Sequence, residues 1–226
     1  MLPELRLYQL ISPALPVGAF TYSQGLEWAI ECGWVNDAAS LEEWLLSVLD
    51  HSVASLEVPV LLRLCQALNQ SDDANVDEAR VKEWCGFLMA SRETSELRAE
   101  ERQRAQALLR LLPALDVSVP ESLRSHLAKT QLAGMALAAR AWEIDSISLS
   151  RGYLWSWLEN AVMAGVKLVP LGQTAGQQIL LRVSARLPDL IDKARLLEDW
   201  QIGSSTPALA IASSRHETQY SRLFRS

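Results

Sequence analysis

Apolar residues recur along this chain at helical spacing almost from end to end. Ser40-Leu41-Glu42-Glu43 reads as a capping box, the serine hydroxyl accepting from the third amide while the glutamate reaches back. It opens a stripe of Leu41, Trp44, Leu45, Val48 and Leu49, the i, i+3, i+4, i+7, i+8 pattern of a core-facing helix. Pro59 has no amide donor and must begin a new helix or kink this one, after which residues 60–68 continue as helix. Residues 69–75 form the clearest polar loop. Further helices are predicted over 76–90, 94–112, 121–144, 148–168 and 174–185, with one more over 187–200. Pro113 and Pro120 bracket one connector and Pro170-Leu171-Gly172 marks another. No run alternates like a strand between hairpin turns, and no internal repeat or long linker divides the chain. The expectation is an all-α, single-domain bundle of roughly eight to ten helices over 1–226.

Two pairs of small residues, Gly134 with Ala138 and Ala161 with Gly165, sit one turn apart on a helix face. Such pairs let backbones approach. A helical glycine costs about 1 kcal/mol relative to alanine, so Gly165 asks for a packing reason.

Composition narrows the function. With 226 residues the chain can bury a sizeable core. A net charge of −6 with no basic face argues against broad nucleic-acid binding. The longest apolar stretch, 160–181, is interrupted by Lys167, Pro170 and several glutamines, and is too polar to span a bilayer. No signal-peptide pattern opens the chain. Cys32, Cys65 and Cys85 are odd in number and widely spaced, which fits reduced thiols and a cytoplasmic location.

The search for chemistry mostly fails. There is no phosphate-cradling GxxxxGK[ST] loop and no GxGxxG, so no nucleotide cofactor is expected. His51, His126 and His216 lie far apart with no metal-site spacing. Asp72 and Asp73 superficially match the paired aspartates with which helical prenyl-diphosphate enzymes hold magnesium. They sit among Asn69, Gln70, Ser71 and Asn75, however, where a solvated connector is the simpler reading.

Four segments suggest contact surfaces instead. The run 92–104 mixes charges of both signs, with Glu100 and Arg104 a favourable i, i+4 pair; it reads as an exposed helix face or as a recognition strip. In the segment 13–28 two prolines and Gly18 deliver Phe20 and Tyr22 just ahead of a helix, as a contact loop or as a hydrophobic staple. Lys167 stands amid apolar neighbours, snorkelling past packed surface or offering its charge to a partner. The tail 213–226 interleaves Arg215, Arg222 and Arg225 with Tyr220, Leu223 and Phe224, residue types enriched where proteins meet. A docked helix or a frayed end would account for the same residues.

Five segments together resemble the urease accessory protein UreF family, and the resemblance runs nearly end to end. They are Leu15-Pro16-Val17-Gly18-Ala19-Phe20-Thr21-Tyr22-Ser23-Gln24-Gly25-Leu26-Glu27, Arg92-Glu93-Thr94-Ser95-Glu96-Leu97-Arg98, Gln131-Leu132-Ala133-Gly134-Met135-Ala136, Ala161-Val162-Met163-Ala164-Gly165-Val166-Lys167-Leu168-Val169-Pro170, and the tail. The resemblance implies a UreF-like all-helical homodimer, not itself an enzyme. It would bind the accessory protein UreD (also called UreH) and the GTPase UreG, and help insert nickel into the urease apoprotein. By the same resemblance, Tyr220, Arg222 and Phe224 contribute to UreD binding, Phe20 and Tyr22 lie against the tail, and Lys167 bears on the UreG GTPase. An alternative within the resemblance is a GTPase-activating protein inserting Arg222 or Arg225 as a finger.

Overall fold

The computed structural model describes residues 1–69 and 76–226; Asp72 and Asp73 lie outside the described residues. The described residues are all-α, without a strand. Ten helices have ten or more residues: α1 (Leu2–Ile11), α3 (Ala38–Val48), α4 (Val58–Asn69), α5 (Glu78–Ala90), α6 (Ser95–Leu111), α8 (Gln131–Ala141), α9 (Ser146–Leu168), α10 (Gln173–Ser184), α11 (Leu187–Leu196) and α12 (Pro207–His216). Two shorter helices, α2 (Leu26–Glu31) and α7 (Glu121–Leu127), complete the bundle.

The 23-residue α9 is the central strut. Asp145 caps it by accepting from the amides of Ile147 and Ser148, and it ends at Leu168, ahead of Pro170. It packs against α1, α2, α3, α4, α8, α10 and α11. Small residues permit this crowding. A Cβ on Gly165 would lie 2.5 Å from Cδ2 of Leu41, so α3 and α9 meet at that glycine; a Cβ on Gly134 would lie 2.9 Å from Leu108. Both glycines therefore have a packing reason.

Helix α3 starts earlier than expected. Its cap is Asp37, whose carboxylate accepts from the Ser40 amide at 2.8 Å while the Ser40 hydroxyl serves the Asp37 amide. Ser40 is thus the inner member of the box. Pro59 neither starts a separate helix nor breaks this one. Helix runs without interruption over Ala38–Asn69, because a nine-residue π-helical stretch, Leu49–Glu57, precedes the proline. Proline in a helix interior strands the carbonyl four residues back. Here that carbonyl, on Ser55, accepts the amide of Gly203 at 3.2 Å, and the His51 carbonyl accepts that of Ser205 at 2.9 Å. This continuous helix is long and apolar enough to cross a membrane, but 67% of its most apolar window is buried inside the fold. No membrane is indicated.

The single helix expected over 121–144 is two. The chain breaks after Leu127 and restarts at Gln131, with Thr130 capping α8. Thr130 is fully buried and its hydroxyl donates to Glu101 Oε1 at 2.7 Å; the Gln131 amide donates to the same oxygen at 3.1 Å. A buried carboxylate at the start of α8 is the reason the helix restarts there.

Candidate partner-binding surface

The run 92–104 is exposed only in part, at Glu93, Ser95, Arg102 and Gln103. Arg92, Glu100 and Glu101 are all buried. Arg92 reaches Glu57 Oε1 at 2.7 Å and Glu101 Oε2 at 2.6 Å, and the Tyr153 hydroxyl donates to the other Glu57 oxygen. Burial pushes the Glu101 carboxyl up, but the Arg92 guanidinium and the Thr130 hydroxyl outweigh it and hold the group below the usual glutamate range. At Glu100 burial wins over Arg104, 3.0 Å away, and its carboxyl is raised.

This charged centre supports the aromatic loop. Gly18 (φ 74°) and Gly25 (φ 80°) occupy left-handed backbone on either side of it, a conformation glycine adopts without cost. Between them Ala19–Thr21 forms one 3₁₀ turn. Tyr22 is buried and its hydroxyl donates to Gln103 Oε1 at 2.7 Å, whereas Phe20 is more than half exposed. At Gly25 a Cβ would lie 2.8 Å from the Ser213 amide nitrogen, so α2 and α12 touch backbone to backbone.

The tail follows from that contact. Ser213 and His216 belong to α12 and are fully buried; only residues 217–226 run beyond the helix. Glu27 holds the return, its carboxylate accepting the amides of Leu223 at 2.6 Å and Phe224 at 2.9 Å. His216 lies between two acids, with Nε2 3.1 Å from Glu27 and Nδ1 2.7 Å from Glu96. Glu96 also receives Arg222 at 2.9 Å. Glu217 accepts from the Ser95 hydroxyl at 2.7 Å and the Ser95 amide at 2.8 Å at the start of α6, and these bonds, the hydroxyl first, lower its carboxyl below the usual range. The strap closes on the loop: the Arg225 amide donates to the Thr21 carbonyl at 2.8 Å, and the Ser23 amide to the Ser226 carbonyl at 2.7 Å.

Against known proteins, the UreF family model matches residues 35–184. The protein named urease accessory protein UreF in Alcanivorax borkumensis is 52% identical over 98% of this chain and 97% of its own length. Its namesake in Pseudomonas putida is also 52% identical, with the same coverage. The chain belongs to the UreF family. A more distant relative, urease accessory protein UreF 2 of Brucella anthropi, is 45% identical over the whole chain and 97% of its own length. The family model stops short of both the aromatic loop and the tail, while these relatives cover nearly all of the chain.

The six residues singled out in the sequence fall into three situations. Lys167 and Phe224 meet: the ammonium lies 6.0 Å from the ring centroid of Phe224, itself only 5% exposed. Phe20 and Tyr22 flank the carbonyl that holds Arg225. Tyr220 and Arg222 face solvent, Tyr220 without cover and Arg222 tethered to Glu96. Phe20, Lys167 and Phe224 also line a cavity of about 350 Å³ beneath the loop. Glu27, Glu96 and His216 escaped sequence reasoning. Each is one polar residue in an ordinary helical pattern, and their partners lie more than a hundred residues away. Among the described residues no cluster of His, Cys, Asp or Glu is arranged to hold a metal.

Proposed function

We propose that this protein is a scaffold for urease maturation. It binds UreD (UreH) through the tail and aromatic loop, engages the GTPase UreG near Lys167, and couples GTP turnover to delivery of nickel, its cargo, into the urease apoprotein. In this reading it works in the cytoplasm as a homodimer, as one domain, and catalyses no reaction itself. Membership in a family of urease accessory proteins supports the setting. The observation that carries the surface assignment is the strap itself: loop, tail and Lys167 form one continuous patch, pinned from below by Glu27.

Co-purification of the full chain with UreD and UreG, separately and then together, tests the reading. Tyr220→Ala with Arg222→Ala should cut UreD retention at least tenfold while the melting temperature stays within a few degrees. Undiminished retention refutes the tail assignment. Lys167→Ala should leave UreD bound and change urease activation. The arginine-finger version requires Arg222 to leave Glu96. It predicts that adding this protein accelerates UreG by about 10³–10⁵.

A further inference from the structure

The cavity under the aromatic loop has the make-up of a ligand site. Its walls are apolar, with Leu10, Leu15, Met135, Met163 and Phe224 facing about 350 Å³ of space. That volume lies within the range of small-molecule sites, roughly 300–1,000 Å³. At about 30 Å³ per water-sized group it holds roughly a dozen non-hydrogen atoms. Two polar side chains on the wall, Gln131 and Arg104, can serve a ligand. Gln131 is 7% exposed and its backbone amide is spent on Glu101, which leaves its side-chain amide at the cavity wall. Arg104 gives Nη1 to Glu100, and its Nε is buried with no partner among the described residues. Both residues line the same cavity.

A buried donor without an acceptor is costly, so Arg104 Nε, on a wall that also carries the Gln131 side chain, calls for an oxygen-bearing ligand. We propose that the cavity binds an aliphatic monocarboxylate, one oxygen accepting from the Gln131 amide and the other from Arg104 Nε. The hydrocarbon chain lies along Leu15, Met135 and Met163. Two cations favour the carboxylate, the Arg104 guanidinium inside and the Lys167 ammonium among the lining residues; Glu159 on the wall and Glu100, paired with Arg104, oppose it, while Glu101 is paired with Arg92. This goes beyond partner binding, although Phe224 brings the bound chain into contact with the tail.

Decanoate labelled with ¹³C at the carboxyl, titrated into the full chain below its micelle concentration, provides the test. Saturable one-to-one binding with a shifted carboxyl resonance is expected. Gln131→Leu should weaken it about tenfold, and Met163→Trp, which fills the space, should abolish it while calorimetry shows an unchanged fold. If Gln131→Leu does not fold, decan-1-ol replaces that variant and should bind at least tenfold more weakly than decanoate. Absence of saturation, equal binding of the alcohol, or binding that survives Met163→Trp would each overturn the proposal; the last would place decanoate on exposed apolar surface such as α1.

Discussion

The ammonium of Lys167, on the last turn of α9, lies 6.0 Å from the ring centroid of Phe224 in the tail. The pair joins the middle of the molecule to its final residues. A cation–π contact at an exposed site is worth only about 0.5–1 kcal/mol, so the pair positions the tail more than it holds it. Glu27 does the holding, by taking two backbone amides on one carboxylate.

Glu27→Gln should therefore loosen the tail. The amide keeps one acceptor oxygen in place of the two that Leu223 and Phe224 use, and it removes the charge facing His216. Trypsin cleavage at Arg222 or Arg225 should accelerate roughly tenfold, while Lys167→Ala changes it less than threefold. Limited proteolysis followed by mass spectrometry checks both.

Arg92→Met should be among the most damaging single changes. It leaves Glu57 and Glu101 buried without their cation. Breaking a buried pair from one side costs about 3–5 kcal/mol. Urea denaturation should show an unfolding free energy lower by that amount, read as an earlier midpoint at unchanged slope.

Gly165→Ala and Gly86→Ala should move stability in opposite directions. Alanine is the better helix former at both sites, by about 1 kcal/mol. At Gly165 the added carbon meets Leu41 at 2.5 Å, and overpacking of about 1–3 kcal/mol wins. At Gly86, in α5, nothing lies within 4 Å, so that variant should gain stability. Melting temperatures decide.

Acid should unfold the protein from the carboxylate side. Glu101 and Glu217 have folded values below the usual one, so their contribution is complete above the ordinary glutamate value of 4.5 and is lost as pH falls through the folded values. Glu100, raised by burial, acts in the opposite sense and softens the loss. The melting temperature should be flat near neutrality and drop below about pH 4.5, and Glu217→Gln should reduce the slope of that drop.

Thiol labelling should separate the cysteines. Burial pushes the Cys65 and Cys85 thiols up to about 12, whereas Cys32 is exposed. Native protein should react with an aromatic disulfide reagent at Cys32 within minutes. Cys65 and Cys85 should react only on unfolding.

Local information was enough for a good part of this protein. The apolar period of 3.6 announced the all-α fold, the small pairs at Gly134 and Gly165 marked close helix contacts, and the Glu100–Arg104 pair at i, i+4 is present as spaced. These features depend on neighbours within a turn or two, or on the absence of a side chain, and both are written directly in the residue order.

The remainder was decided by packing. The charged run from Arg92 to Arg104 looks solvated by composition, yet its partners Glu57, Thr130 and Ser226 come from distant elements that close over it. The break before Gln131 and the unbroken passage through Pro59 depend on a carboxylate and an amide supplied from elsewhere in the chain. The tail lies down because Glu27 reaches it across almost two hundred residues. Hydrophobic periodicity states which face of a helix turns inward. Which polar groups then meet in that interior depends on how the helices assemble, since a buried charge is tolerated only where its counter-charge arrives with it.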